Sequence, residues 1–188
     1  MPTRLDLVWP SNEHLASYKT ALERGWSPDN IRGMEATREQ LAAIAEDPAQ
    51  FLSTMVVRDP ADALITLPDG SKVPKLPGYR RWLWDGELCG SIGFRWQPGT
   101  SALPPHILGH VGYAVVPWKQ RRGYATEALR LLLSDAKAEG LTYLEVTTDP
   151  HNIASRRVVE ANGGGVVEEF IRPKAYGGTH AIRYRIEL

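Results

Sequence analysis

Apolar positions along this chain change period several times, and each change marks an element. Near the start, Leu5, Leu7 and Trp9 alternate with Arg4, Asp6 and Val8, which predicts a strand over residues 3–9 ended by Pro10. The period then lengthens: Leu15, Tyr18, Ala21 and Leu22 recur at helical spacing from Asn12 to Arg24, with Ser11 placed to cap the start and Gly25 to end the run. Thr37-x-x-Gln40 reads as a capping box opening a second helix to about Glu46. Asp47-Pro48 restarts a short helical turn through Phe51-Leu52, with proline at its first position.

A period of two returns in the middle of the chain. LITLPDGSKVPKLPG predicts an extra hairpin turning at Pro68-Asp69-Gly70. Tyr79–Trp84 and Glu87–Trp96 follow as strands separated by Asp85-Gly86, a pair suited to a type I′ turn. Trp82 and Trp84 share one face of the first, while Leu88, Ile92, Phe94 and Trp96 share one face of the second, as core stripes do. After the proline- and glycine-rich loop QPGTSALPPHILG comes a central strand, His110–Val116, ended by Pro117. Helical spacing resumes from Ala125 with Leu129, Leu132, Leu133 and Ala136, and Gly140 closes that helix. The strand Leu141–Thr148, the turn Asp149-Pro150-His151 and a helix capped by Asn152 and ended at Asn162-Gly163 come next. Val166–Ile171 and Ala181–Leu188 make a final antiparallel pair joined by PKAYGGTH.

Composition narrows the class of protein. The 188 residues suffice for one good core, so a single domain over 1–188 is the expectation. Lysine plus arginine equal aspartate plus glutamate at 22 each, which leaves no bulk field to gather nucleic acid or an anionic membrane. Cys89 is the only cysteine, so no internal disulfide framework exists and a reducing compartment is expected. With no apolar leader in MPTRLDLVWPSNEH and no apolar run near the ~20 residues that span a bilayer, the expected location is cytoplasmic. His106 and His110 stand four apart, but Pro104-Pro105 and Gly109 oppose a helix there and no cysteine or carboxylate cluster accompanies them; no metal is expected.

The candidate chemistry lies where the central strand hands over to the next helix. A helix N-terminus presents unpaired N–H groups and the positive end of the macrodipole, so the junction suits an anion. Gly123 and Ala125 keep side-chain bulk away from the backbone that a pyrophosphate would approach.

Gln120-Arg121-Arg122-Gly123-Tyr124-Ala125 resembles the Q/R-x-x-G-x-G/A acyl-CoA loop of the GNAT acetyltransferase superfamily, and Asn152-Ile153-Ala154-Ser155 resembles the N-x-A-S start of its next helix. The likeness covers roughly the last eighty residues, and GHVGYAVVP, RRGYATEAL, NIAS and EANGG look most like an uncharacterised bacterial branch of predicted acetyltransferases. It implies an α/β (α+β) fold with a mixed, mostly antiparallel central sheet flanked by helices and splayed at the central strand. The implied activity is acetyl-CoA-dependent N-acetylation of a small amine, an amino acid or a protein N-terminus by direct attack in a ternary complex. Expected partners are therefore acetyl-CoA and an amine acceptor, without nucleic acid or membrane; a homodimer stays open. The alternative is a non-catalytic acyl-CoA-binding module.

By the same resemblance, the backbone of Tyr113, Ala114, Val115 and Val116 pairs with the pantetheine arm, and an N–H near Tyr113 faces the thioester carbonyl. The N–H groups from Arg121 through Arg122, Gly123, Tyr124 and Ala125 to Thr126 cradle the pyrophosphate, with Gln120, Arg121 and Arg122 adding side-chain contacts or forming a solvated basic turn. Asn152 reaches the pantetheine as well as capping its helix, and Ser155, one turn on, faces the CoA sulfur. Many members carry a tyrosine acid seven residues after this asparagine; here the position is Val159, leaving Ser155, water or no acid at all. Related sequences often place a glutamate base where His110 stands; a histidine of pKa ~6.5 suits the task, and hydrogen-bonded structure is its other reading. Glu87, Glu145 and His151 are further base candidates, and Trp26, in the segment that commonly borders the acceptor, is either a wall of that site or packed on the sheet.

Overall fold

The computed structural model describes residues 5–67 and 69–188, so Thr3, Arg4 and Pro68 of the expected first strand and hairpin turn lie outside the described residues. In chain order the first elements are β1 (Asp6–Val8), α1 (Asn12–Glu23), α2 (Met34–Glu46), α3 (Pro48–Ser53), β2 (Val56–Val57), β3 (Leu64–Thr66), β4 (Lys72–Pro74), β5 (Gly78–Trp84) and β6 (Leu88–Arg95). There follow β7 (Val111–Val115), a 3-10 turn (Pro117–Lys119), α4 (Tyr124–Ala138), β8 (Tyr143–Thr148), α5 (Ile153–Glu160), β9 (Gly165–Ile171), a second 3-10 turn (Lys174–Tyr176) and β10 (His180–Glu187).

The residues form two compact units. Among the described residues, one comprises 5–57, Gly78–Gly93 and Tyr113–Ala128; the other comprises 58–67, 69–77, Phe94–Gly112 and Leu129–Leu188. The sheet that dominates the first runs β1-β5-β6-β7, with β2 also paired to β5. Arg95 N–H donates to the His110 carbonyl at 2.9 Å, and Val116 N–H donates to the Cys89 carbonyl at 2.9 Å, so β6 and β7 are antiparallel. Their contact is close: a Cβ on Gly90, whose φ is 154°, would stand 2.2 Å from the Ala114 carbonyl oxygen. The core of this unit gathers Leu15, Tyr18, Leu22, Trp26, Phe51 and Trp82. Tyr18 stacks on Trp82 with centroids 4.3 Å apart and meets Trp26 edge-on at 5.6 Å.

In the second unit, β10 is the middle strand between β8 and β9, both antiparallel to it. β3 and β4 form the expected extra hairpin. The architecture is the mixed α/β arrangement of antiparallel sheets flanked by helices that the resemblance implied. β7 ends one sheet and β8 ends the other.

Several local expectations are corrected by longer-range partners. Ser11 stands at the α1 N-cap, but its hydroxyl pairs with His14 Nδ1 at 2.8 Å and bonds no backbone amide. Thr37 and Gln40 form no capping box, because α2 already starts at Met34; Thr37 Oγ1 donates to the Trp26 carbonyl at 3.0 Å, and Gln40 Oε1 accepts the Tyr18 hydroxyl at 2.6 Å. The β5–β6 turn is Asp85–Glu87, closed by Asp85 N–H on the Glu87 carbonyl at 3.3 Å. Gly86 has φ 111° while Asp85 is not left-handed, which excludes type I′. Trp26 is 4% exposed within the core, so packing is its observed role. By contrast, Asp47 caps α3 as expected, accepting Gln50 N–H at 2.9 Å.

Candidate functional site

In the first unit the expected residues Tyr113–Val116 and Gln120–Thr126 lie together as strand end, loop and helix start. The β6–β7 hydrogen bonds at His110 and Val116 fix the register, which turns the peptide groups of the intervening odd-numbered residues away from β6. Two side-chain amides cap that outward edge. Asn30 Nδ2 donates to the Tyr113 carbonyl at 2.9 Å, and Gln120 Nε2 reaches the Val115 carbonyl at 3.4 Å.

The loop that follows is left-handed at Arg121, with φ 65°, and at Gly123, with φ 80°, while Arg122 between them is not. Alternation of hand along successive residues turns their N–H groups to one side, the geometry of an anion-binding nest. A Cβ on Gly123 would meet nothing within 4 Å, so no side chain or backbone crowds the loop at that point. Gly123 also supplies the carbonyl that accepts the first helical bond of α4, from Glu127 N–H at 3.0 Å. The turn after it points its N–H groups back at the loop. Arg121 and Arg122 are exposed there.

A buried charge cluster underlies this loop. Lys119 and Asp85, with side chains 6% and 7% exposed, lie 2.5 Å apart, and Glu87 Oε1 is 2.9 Å from the same ammonium. Tyr124 donates its hydroxyl to the other Asp85 oxygen at 2.6 Å. Burial alone would raise the Asp85 carboxyl, but the hydrogen bonds from Lys119, Tyr124 and Cys89 overcome it and bring the pKa to about 2. Burial and the Asp85 carboxylate push the Cys89 thiol up to about 12, so this thiol is a poor nucleophile. Sequence reasoning missed Asp85, Lys119 and Asn30. Asp85 carried a turn signal and Lys119 sat in a basic run; neither pattern reveals a partner tens of residues away.

The second unit holds His110, Asn152 and Ser155. Leu108, Gly109 and His110 are strapped to β8: Thr147 Oγ1 donates to the Leu108 carbonyl, and His110 N–H donates to the Glu145 carbonyl at 2.8 Å. The imidazole is fully buried and its Nδ1 accepts Glu145 N–H at 2.9 Å. Burial lowers its pKa to about 4, against the opposing pull of the Glu145 carboxylate and the backbone of Ser101 and Glu145. The ring is neutral at pH 7, yet no part of it is exposed; the geometry is that of hydrogen-bonded structure. Glu145 is engaged too, with Arg185 at 2.7 Å and Arg183 at 3.8 Å. His151 is exposed.

Asn152 caps α5, its Oδ1 accepting Ser155 N–H at 3.0 Å, which leaves the amide NH2 outside the cap. The Ser155 side chain is half-buried and Val159 is fully buried. A Cβ on Gly164 would come 2.4 Å from Val159 Cγ1, so valine fills its position against the backbone. Among the described residues no group of three or more His, Cys, Asp or Glu could hold a metal ion, and no helix is long and apolar enough to cross a membrane.

Residues 30–164 match the acetyltransferase (GNAT) domain family. No curated protein matches the chain in sequence. Among solved structures, the chain resembles the microcin C7 self-immunity acetyltransferase MccE in complex with acetyl-CoA and AMP, at 10% identity and a TM-score of 0.61, covering 100% of this chain and 98% of that one. An acetyltransferase from Salmonella typhimurium that modifies the N-terminal serine of a 50S ribosomal subunit protein gives 12% identity and a TM-score of 0.63, over 99% and 96% of the two chains. RimL, a ribosomal-protein alpha-N-acetyltransferase in complex with coenzyme A, gives 13% and 0.62 over 99% and 95%. At these identities the structures establish a shared fold.

Proposed function

Because the chain belongs to the GNAT acetyltransferase family, we propose that it moves an acetyl group from acetyl-CoA to a primary amine by direct attack in a ternary complex. The observation that carries this reading is the loop between β7 and α4, left-handed at Arg121 and Gly123, where a Cβ on Gly123 would meet nothing within 4 Å. A pyrophosphate fits such a loop, since its oxygens need several N–H donors and a surface without side chains. Acetyl-CoA supplies an activated thioester, so the protein has to bind, orient and stabilise charge.

Within this reading the N–H groups of 121–126 hold the pyrophosphate, and the exposed Arg121 and Arg122 add charge. The outward peptide groups of β7 hold the pantetheine as another strand would, in competition with the Asn30 and Gln120 amides that now cap the Tyr113 and Val115 carbonyls. An N–H near Tyr113 is the oxyanion donor. Asn152 uses its remaining NH2 toward the pantetheine, and Ser155 is the hydroxyl offered to the thiolate. His110 is assigned to positioning: its ring and N–H tie the entry of β7 to Glu145, and the amine proton leaves through water.

A protein α-amino group is the first acceptor to test, given the N-terminal serine that the Salmonella enzyme modifies. The buried free thiol of Cys89 is in keeping with the proposed cytoplasmic location. Val159, in place of a tyrosine acid, favours the second reading, a CoA-binding module without turnover. Calorimetry with CoA, followed by thiol release from acetyl-CoA with peptides and small amines, tests both. CoA binding with thiol release supports transfer, binding without release for any amine supports the module, and no binding sinks both. Gly123→Ala should strain the left-handed turn by about 1 kcal/mol and weaken CoA binding; a folded variant with unchanged affinity would remove the loop from the cofactor site.

A further inference from the structure

Lys119 and Tyr124 stand immediately before and after the stretch Gln120–Gly123, and both are bonded to one carboxylate. Asp85 Oδ1 takes the Lys119 ammonium at 2.5 Å and Oδ2 takes the Tyr124 hydroxyl at 2.6 Å. We propose that Asp85 is a positioning residue for the cofactor loop, a clamp that fixes both ends of Gln120–Gly123 and so holds its N–H groups in the anion-binding shape. The inference rests on the acetyl-CoA reading above and goes beyond it, since Asp85 lies outside the stretch 120–126 proposed to hold the pyrophosphate.

The loop needs such a device. A non-glycine residue in the left-handed region, as Arg121 is with φ 65°, persists only where its surroundings over-determine it. Its two ends are otherwise held locally, by Lys119 N–H on the Val116 carbonyl at 3.0 Å and by the start of α4. The clamp adds a tie to the β5–β6 hairpin at each end. Asp85 is suited to the task because it sits in a three-residue turn between two paired strands, which makes the anchor rigid.

The cluster also sorts the basic residues around the loop. Lys119 is 5% exposed and faces two carboxylates, so its charge is spent within the protein. Arg121 and Arg122 are exposed and remain the cations offered to a ligand. A positively charged run in the sequence thus divides into one buried, paired cation and two exposed ones.

The test compares acetyl-CoA with acetyl-pantetheine, which shares the thioester and lacks the pyrophosphate. For Asp85→Asn the Kd for CoA and the KM for acetyl-CoA should rise about tenfold, the worth of one hydrogen bond to a charged group. kcat at saturation and the KM for acetyl-pantetheine should stay near wild type. A general loss of structure would instead lower kcat and weaken both ligands together, and that result overturns the clamp. Tyr124→Phe removes one arm without stranding a buried charge, and it decides the matter where Asp85→Asn does not fold: a severalfold weaker CoA affinity by calorimetry supports the clamp, and wild-type affinity overturns it. Wild-type protein that fails to bind CoA would instead overturn the acetyl-CoA reading on which the inference stands.

Discussion

Each unit buries a carboxylate that meets a cation, and the two clusters do different work. In the first, Asp85 and Lys119 are nearly sealed from solvent and brace a loop of unusual backbone shape. In the second, Glu145 meets Arg185 and Arg183, whose side chains are 34% and 25% exposed, and the residues involved lie on β8 and β10, already paired by their backbones. A carboxylate that grips irregular backbone can set the shape of a binding loop. One that decorates a regular ladder adds little to what the ladder already fixes.

The largest contrast should come from removing one cation on each side. Lys119→Met leaves the Asp85 carboxylate buried without its counter-charge, which should cost about 3–5 kcal/mol in urea unfolding. Arg185 is itself a third exposed and Glu145 keeps Arg183, so Arg185→Met should cost at most about 1 kcal/mol. Equal losses would break the comparison.

A pH titration sharpens it further. The His110 pKa is about 4 in the folded protein against 6.5 unperturbed, so between these values the unfolded chain binds more protons. Stability should therefore fall as pH drops from 6.5 to 4, by something on the order of 3 kcal/mol. His110→Gln should flatten that slope. Asp85 acts in the same direction over a lower window: its contribution is complete above the ordinary carboxylate value of 3.8 and is lost as pH falls from there through about 2. A slope unchanged in His110→Gln would remove the buried imidazole as its source.

A smaller effect is expected at Asn152. Asn152→Ala should lose about 1 kcal/mol with the α5 cap, together with CoA affinity; lost stability with affinity intact would leave the asparagine only its cap.

What the sequence determined by itself was everything that rests on neighbours a few residues apart. Helical spacing located α1 through Leu15, Tyr18, Ala21 and Leu22, all of which are buried, and Asp47-Pro48 and Asn152 marked helix starts whose caps form as expected. The loop at Gln120–Ala125 was legible through its resemblance to a known motif, and Gly123 takes the left-handed conformation that favours glycine. Tertiary structure decided which partner a polar side chain takes when several are in reach of its type. Thr37 and Gln40 satisfied a capping pattern, yet the Trp26 carbonyl and the Tyr18 hydroxyl claimed them. Asp85 satisfied a turn pattern, yet folding brought Lys119 and Tyr124 to its carboxylate. His110 satisfied the position of a base, and only folding sealed its ring against Glu145. Burial is a property of the assembled chain, and it sets the worth of every charge and hydrogen bond, which no local pattern at these residues contains.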